Sequence, residues 1–385
     1  MHSRFMTFLW AARWASAVMA LMYHVRFLQF VDYDAVVAKS VLSKGFYFLT
    51  GLGHESFAVF FVLNGIVAGS ILLQQRDRLA VPRHLGALYA ILLPGLVLGA
   101  LFDVTGAHFF NQSGMYTRFP DFSTLTLSYS SLLGNAAMLQ PFVVPTFGSN
   151  GMLYLLSYLF WSFVLLVLLV HAAALGKTRG RLVQIALLAG VLSLMPAQFL
   201  NWAAIWLTGV AIVVFCESRQ WRPPLLLGIA GFLGTLLVSR FIGSHTGLLP
   251  QPFGAWLVHY KYILVGLGFT ALAGALYPRR SPDKGGLPTP LIGTGRGTTE
   301  RLAAFTFFFH FPVVMLVFAV AAALQQQPPM QQPTPARYAA FLVIVCLSIG
   351  VTAIAARAFA AVLERIYITI IPFLKSISLH KLKRE

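Results

Sequence analysis

Arg13 and His24 stand eleven positions apart in the first apolar segment of the chain, AARWASAVMALMYHVRFLQF. An α-helix turns about 100° and rises about 1.5 Å per residue, so the two side chains share one face and differ in depth by roughly 16 Å. Ionisable residues inside a membrane helix are rare and usually functional. The pair predicts chemistry within a membrane, with His24 as the base and Arg13 as a fixed cation. Two structural alternatives stay open, namely a hydrogen-bonded histidine and an arginine that extends to the membrane surface.

A second group of polar residues lies in GLGHESFAVFFVLNGIVAG, residues 51–69. His54 and Glu55 are predicted at one end of the second membrane crossing, on the same aqueous side as His24. Glu55 could orient an imidazole and stabilise its protonated form, or could simply be the polarity of a helix end. Asn64, deeper in this segment, carries an amide that can hydrogen-bond to a neighbouring helix.

A third candidate, His310, lies in FTFFFHFPVV and is followed closely by Pro312. Proline removes a backbone hydrogen bond and frees a carbonyl group within a helix. His310 could line the same cavity as His24, or it could be structural. Either His310 or Asn64 could donate a hydrogen bond to an oxyanion that develops during a reaction.

Arg76, Arg78 and Arg83 form a basic cluster directly after the second apolar segment. Guanidinium groups are suited to phosphate oxygens. A cytoplasmic loop of an ordinary membrane protein has the same composition, so this alternative also stays open.

The elements that position these residues are predicted to be membrane helices. Hydrophobic residues make up 58% of the chain and charged residues 10%, whereas a soluble domain is about 25% charged. A crossing needs roughly 20 apolar residues. The sequence therefore predicts an all-α integral membrane protein, a bundle of about ten transmembrane helices. The predicted crossings are 6–30, 46–73, 84–102, 150–176, 182–199, 200–216, 223–243, 257–277, 301–324 and 338–363, with a turn around Asn201 between the fifth and sixth.

Basic residues are about three times as frequent in the segments on the N-terminal side of these helices as on the other side. The positive-inside rule then places both termini in the cytoplasm. The net charge of +17 is explained by these anchors and by contact with anionic lipid, not by nucleic acid. Cys216 and Cys346 form no disulfide framework, and no metal-ligand spacing is present.

Two stretches outside the helices have predicted roles. Residues 103–149 are rich in aromatic and turn residues, which predicts an ordered loop over the outer side of the bundle. Its Tyr116 and Phe119, with Phe122 and Tyr129, are candidates for substrate contact. Residues 364–385 combine apolar residues with terminal lysines and predict a basic amphipathic tail at the cytoplasmic surface.

Six motifs follow one another along the chain, namely Arg13 and His24 with ten residues between them, FFVLNG at 60–65, the basic turn, GSNGMLYLLSYLFW at 148–161, WLTGV at 206–210 and HFP at 310–312. They occur in the order seen in the bacterial membrane acyltransferase-3 family, which this chain resembles over essentially its whole length. The chain departs from the family in three places. Asn64 stands where a serine is common, Leu159 stands where a glutamate is expected, and the segment before His310 lacks the usual Ser and Tyr pattern.

The resemblance implies an enzyme of the inner membrane that transfers an acetyl group from acetyl-CoA to a hydroxyl of a carbohydrate. The acceptor would be a cell-surface polysaccharide or exopolysaccharide unit or a lipid-linked glycan, with polysaccharide assembly proteins as partners and no metal. Residues 1–363 would form the acyltransferase domain. The residues that match or accompany its motifs would be catalytic (His24, Arg13, Glu55, Asn64, His310), acyl-CoA-binding (Arg13, Arg76, Arg78, Arg83) and substrate-binding (His54, Tyr116, Phe119, Asn150, Tyr154).

Two other classes of function are compatible with the sequence. A ten-helix protein with buried Arg and His could be a transporter or flippase of an anionic solute. Leu159 at the glutamate position also allows a catalytically silent subunit of a polysaccharide assembly complex.

Overall fold

The computed structural model describes residues 2–73, 80–117, 126–140, 142–174, 179–219, 221–245, 250–278, 298–325 and 329–382. Within these ranges the chain is built from α-helices, with two single-turn 3-10 segments, and its β-structure is one isolated bridge. This confirms the predicted all-α fold. The helices are α1 (His2–Gln29), α2 (Val41–Thr50), α3 (Gly53–Leu73), α4 (Ala80–Phe109), α5 (Tyr129–Ala136), α6 (Leu153–Ala174), α7 (Arg179–Leu194), α8 (Ala197–Arg219), α9 (Leu225–Ser244), α10 (Phe253–Leu276), α11 (Thr298–Gln325) and α12 (Pro335–Leu382).

Nine segments of the described residues are long and apolar enough to cross a membrane, with α2 and α3 together forming one of them. The predicted fifth crossing corresponds to α7, which has only 16 residues. The start of α6 and the start of α8 nevertheless meet at one end of the bundle, because the Tyr158 and Phe199 rings are 5.4 Å apart. The chain must therefore return along α7, as the predicted ten-helix order requires.

The first and last helices have opposite directions. At the end of α1, the Gln29 side chain donates a hydrogen bond to the carbonyl oxygen of Arg337 in the first turn of α12 (3.0 Å). The start of α1 and the end of α12 are consequently on the same side of the bundle. We call the end of the bundle where α1 ends the His24 end, and the opposite one the N-terminal end.

The second apolar segment is broken into two helices, although the sequence predicted one helix over 46–73. Gly51 and Leu52 separate α2 from α3. Arg240 of α9 donates a hydrogen bond to the Gly51 carbonyl oxygen (3.0 Å), which compensates for the carbonyl freed by the break. A Cβ atom on residue 51 would lie 2.7 Å from the Tyr47 carbonyl oxygen and 2.5 Å from the Arg240 guanidinium, so glycine lets the two groups approach here.

Three other boundaries differ from the prediction. The predicted turn around Asn201 is wrong: the break lies at Pro196, which has no N–H and precedes α8, while Asn201 is within that helix. Helix α4 continues seven residues beyond the predicted end at 102 and includes Asp103. The helical backbone of α12 continues through the segment predicted as a separate tail, to Leu382.

Helix α3 lies at the centre of the bundle and is buried on almost all of its faces. Its backbone approaches that of α8 closely, since a Cβ on Gly65 would overlap the Trp206 carbonyl oxygen and one on Gly209 would overlap the Val62 carbonyl oxygen. Small residues permit such contact between membrane helices, where van der Waals packing replaces the hydrophobic effect. On another face, the Phe60 ring stacks on Phe307 of α11 with 3.8 Å between centroids. These contacts join α3, α8 and α11 in one core.

The described part of the 103–149 stretch is ordered, as predicted. Ser128 begins α5 with a reciprocal capping box to Ser131. The Asn135 side chain donates to the Pro145 carbonyl oxygen (2.8 Å) and accepts from the Phe147 amide (3.1 Å). Hydrogen bonds from a single buried amide thus tie α5 to the chain that leads into α6.

Candidate active site in the helix bundle

His24 of α1 contacts His310 of α11, which is 286 residues away in sequence. The Nδ1 atom of His24 is 3.0 Å from the Nε2 atom of His310. His310 Nδ1 is 2.8 Å from the Thr306 carbonyl oxygen, and His24 Nδ1 is 2.9 Å from the Ala20 carbonyl oxygen. The two predicted histidines therefore form a pair inside the bundle.

The two carbonyl oxygens determine the tautomer of each neutral ring. A carbonyl oxygen only accepts, so Nδ1 of His310 carries a proton and Nε2 of His310 is the lone-pair acceptor. His24 Nδ1 then carries its own proton, which it shares between Ala20 and His310. The Nε2 atom of His24 is left unprotonated, and it has no partner among the described residues.

An aromatic shell surrounds this pair. The His24 ring lies 5.1 Å from the ring of Tyr23, 5.1 Å from that of Phe311 and 6.3 Å from that of Phe57. His310 is fully buried, whereas His24 keeps part of its surface accessible. These aromatic rings give the site a low dielectric constant. The hydrogen bond from His24 Nδ1 to His310 Nε2 is electrostatically stronger there than it would be in water.

Two predicted substrate-binding residues, His54 and Tyr154, lie near Tyr23, and His54 is close enough to His24 to interact with it electrostatically. The Tyr23 ring is 5.2 Å from His54, and His54 stacks on Tyr262 of α10 at 5.6 Å. Tyr154 of α6 is close enough to both tyrosines to interact with them electrostatically. Helices α1, α3, α6 and α10 therefore supply one aromatic wall at the His24 end.

Glu55 does not orient either imidazole. It is 2% exposed, and its carboxylate accepts a hydrogen bond from the Ser239 hydroxyl of α9 (2.8 Å). Lys261 of α10 is close enough to interact with it electrostatically. His54 and Glu55 are adjacent in α3, so their side chains point about 100° apart. The Glu55 carboxylate therefore faces α9 and α10 and not His24 or His310.

Arg13 is buried inside the bundle, so the alternative of a guanidinium that reaches the membrane surface is wrong. Only 4% of the residue is exposed, and its charge is within interaction range of His84 on α4. Of the other predicted acyl-CoA contacts, Arg83 is half-buried near the start of α4. Arg76, Arg78 and the loop residue Phe119 lie outside the described residues.

Neither predicted oxyanion donor is available next to His24. Both ring nitrogens of His310 are already engaged, so this residue positions His24. Asn64 lies seven residues along α3 from Phe57, the residue that faces His24, which is a displacement of roughly 10 Å. Its amide nitrogen donates to the Phe60 carbonyl oxygen (2.7 Å). This geometry favours a positioning role for His310, and the role of Asn64 stays a prediction.

One buried polar group was missed by the sequence analysis. Asp103 of α4 is fully buried, and its two oxygens accept hydrogen bonds from the Ser149 hydroxyl (2.6 Å) and the Ser149 amide (2.7 Å). The signal was an aspartate in the apolar run LVLGALFDV, overlooked because the helix was expected to end at 102. Gly148, with φ of 69°, brings the chain so close that a Cβ would overlap the Asp103 carboxylate.

Two predicted substrate-binding residues lie near Asp103, since Asn150 directly follows Ser149 and Tyr116 interacts with Asp103 electrostatically. Asn150 is 1% exposed, and both polar atoms of its amide have no partner among the described residues. The buried Tyr116 hydroxyl is also without a described partner, and burial, reinforced by Asp103, raises the pKa of this hydroxyl. These groups form a second polar region beneath the loop.

The pair of histidines offers a positioned base, and the described residues contain no group of three potential metal ligands. Leu159, at the position where the resemblance expects a glutamate, is buried among apolar side chains. A comparison with models of protein families, with curated proteins and with solved structures finds no match to this chain.

Proposed function

We propose that this protein is a membrane O-acyltransferase that moves an acyl group, most simply acetyl from acetyl-CoA, to a hydroxyl of a carbohydrate acceptor. The observation that carries the proposal is the position of His24 Nδ1, which lies 2.9 Å from the Ala20 carbonyl oxygen and 3.0 Å from His310 Nε2 and so assigns the proton to Nδ1. An unprotonated Nε2, fixed by two hydrogen bonds at Nδ1 and lying in a helix bundle, is suited to remove a proton from a hydroxyl. The resemblance to the acyltransferase-3 family supports the same conclusion.

The reaction uses His24 as a general base. Its Nε2 atom takes the proton of the acceptor hydroxyl while the hydroxyl oxygen attacks the thioester carbonyl carbon. The new C–O bond gives a tetrahedral intermediate, and the C–S bond then breaks. The leaving thiolate of CoA takes the proton back from His24, so the enzyme returns to its starting state with an ester and free CoA as products.

His310 supports the charged form of His24. When Nε2 takes a proton, the Nδ1–H group becomes a cationic donor, and its hydrogen bond to His310 Nε2 becomes charge-assisted and stronger. The pair plays the part that a histidine and its orienting acceptor play in hydrolases with a catalytic triad. A neutral acceptor adds no negative charge to the bundle, which suits a site surrounded by aromatic rings.

Arg13 is proposed to hold the donor from the opposite side. It is a buried cation about 16 Å from His24 along α1, and an extended pantetheine arm is on the order of 15–20 Å long. With the N-terminal end in the cytoplasm, as the basic residues favour, the phosphates of acyl-CoA would rest near Arg13 and Arg83. The thioester would then reach the level of His24.

A transporter is the second candidate, and one observation favours it. Asp103 is an acidic residue buried in a membrane helix, which is a common feature of ion-coupled transport. Its carboxylate is, however, held by two hydrogen bonds from Ser149. A rigid structural role accounts for these bonds without transport.

The test follows label from acetyl-CoA in lipid nanodiscs. Purified protein is incubated with [14C]acetyl-CoA and a glycan extract, and free CoA and labelled glycan are quantified for wild type, His24→Ala and His108→Ala. His108 is an exposed histidine at the His24 end and serves as the matched control. We expect the His24 variant to lose about 10²–10⁴-fold in rate and the control to keep the wild-type rate. Equal turnover in wild type and His24→Ala would contradict the proposal.

A further inference from the structure

Three basic residues come together at the His24 end, and we call Arg26, Arg240 and Lys261 the cationic cluster. They belong to α1, α9 and α10, and Arg26 and Lys261 are 9% and 6% exposed. Each is close enough to Arg240 for their charges to interact. Like charges that share a buried region of a membrane protein repel one another and are costly unless something compensates them.

The described carboxylates compensate the cluster only in part. Glu55 interacts with Lys261, but its hydrogen bond comes from the Ser239 hydroxyl. Asp32 is within range of Arg26 and is itself exposed to solvent. Three cations therefore face one buried and one exposed carboxylate, and the cluster keeps a positive charge.

The hydrogen-bond donors of the cluster are incompletely used. Arg26 places its guanidinium 5.6 Å from the Tyr23 ring centroid and 5.2 Å from that of Tyr47. Its Nε atom is buried without a partner among the described residues, and the same is true of Arg240 Nε. Arg240 uses one terminal nitrogen for the Gly51 carbonyl oxygen. Planar donors with free N–H groups are suited to an oxyanion such as phosphate or carboxylate.

The cluster adjoins the base. Tyr23 lies between them, with its ring 5.1 Å from the His24 ring and 5.6 Å from the Arg26 guanidinium carbon. A molecule whose hydroxyl reaches His24 from this end can therefore place a neighbouring group against Arg26. The donor is proposed to enter from the opposite end, so the molecule at the cluster is the acceptor.

We propose that the cationic cluster binds an oxyanion of the acyl acceptor, so that the acceptor is an anionic glycan, such as a lipid-linked glycan phosphate or a uronate, and not a neutral sugar. This inference rests on the proposed acyltransferase function. The oxyanion neutralises the cluster and brings the adjoining hydroxyl to His24. A phospholipid headgroup offers the same chemistry from another source, and the experiment separates the two.

The test measures binding of [32P]pyrophosphate to protein in phosphatidylcholine nanodiscs, in the absence of acyl-CoA. The variants are Arg26→Gln, Arg240→Gln and, as a charge-matched control, Lys44→Gln, an exposed lysine at the same end. We expect each arginine variant to bind about tenfold or more weakly and the control to bind like wild type. Arg240 is only half-buried, so its variant keeps the test valid if Arg26→Gln fails to fold. Equal binding by all variants would overturn the proposal.

Competition identifies the source of the oxyanion. We expect glucose 1-phosphate or glucuronate to displace the label and glucose to leave it bound. Displacement by phosphatidylglycerol in the nanodisc would assign the cluster to a lipid headgroup and overturn the acceptor assignment. CoA that displaced the label at lower concentration than unlabelled pyrophosphate would assign it to the donor, with the same consequence. Because no acyl transfer is measured, a failure of the proposed function does not affect these results.

Discussion

The hydrogen bond from His24 to His310 gives the sharpest prediction. We consider His310→Leu, which removes the acceptor, and His310→Gln, whose amide oxygen can take the position of the imidazole Nε2. In both variants His24 Nδ1 keeps the Ala20 carbonyl oxygen at 2.9 Å as an acceptor. The ground-state tautomer is therefore largely retained, and the loss falls on the protonated state of His24 that forms during the reaction.

The expected magnitude follows from that charged state. A hydrogen bond to a charged group contributes about 1.5–3 kcal/mol. Its loss corresponds to roughly a 10- to 150-fold decrease in rate. We expect His310→Leu to show a decrease of this size, and His310→Gln to stay within about tenfold of wild type. Removal of His24 itself is expected to cost more, about 10²–10⁴-fold.

The assay is turnover of [14C]acetyl-CoA in nanodiscs, with the variants also made in a His24→Ala background. His310 acts only through His24, so His310→Leu is expected to have no further effect when His24 is absent. A 15N spectrum of labelled histidine gives an independent readout, in which the His24 Nδ1–H tautomer is expected to remain the main neutral form in His310→Leu, because the Ala20 carbonyl oxygen still accepts its proton. The reasoning is refuted if leucine and glutamine are equally damaging, or if His310→Leu lowers the rate without His24.

Three further predictions concern the fold. Gly65→Ala forces a Cβ against the Trp206 carbonyl oxygen and is expected to lower the free energy of unfolding by about 1–3 kcal/mol. Gly86→Ala, where a Cβ meets no atom within 4 Å, is expected not to lower it, because alanine is favoured over glycine within a helix. Asp103→Asn weakens the two hydrogen bonds that Ser149 donates, and we expect the free energy of unfolding to fall by about 1.5–3 kcal/mol. Denaturant unfolding followed by intrinsic fluorescence measures this change, and a variant as stable as wild type would contradict the prediction. Tags at the two chain ends are expected to be protected from external protease in intact cells, and cleavage of only one would exclude the predicted topology.

The sequence predicts the position of each site residue within its helix better than the contacts between residues of different helices. Arg13 and His24 are eleven residues apart on one helix, so helical periodicity alone predicts their shared face. The burial of Arg13 and the contact of His24 with His310 agree with an inward-facing stripe. The contact between His24 and His310 joins helices from opposite ends of the chain. Periodicity within a helix carries no information on which helices become neighbours, so the pair was only one of several possibilities.

The wrong predictions have local physical causes. The predicted turn was placed at Asn201, between two apolar segments. The Asn201 side chain instead lies within α8, where it donates a hydrogen bond to the His259 carbonyl oxygen (2.8 Å). The true break needs only a proline at 196. The role predicted for Glu55 rests on its place with His54 at the His24 end of the second crossing, although adjacent helical residues point about 100° apart. Tertiary contacts from α9 and α10 decide where its carboxylate lies.

The shortness of α7 has a consequence for the surrounding lipid. A helix of 16 residues spans about 24 Å, roughly 6 Å less than the hydrocarbon core of a typical bilayer. Most of its side chains face outward, with Leu182 and Leu187 at 70% and 64% exposed. Such hydrophobic mismatch thins the bilayer or recruits a neighbouring protein to the flank. The protein is therefore expected to thin the bilayer only along the flank that α7 forms, and to favour thin bilayers over thick ones.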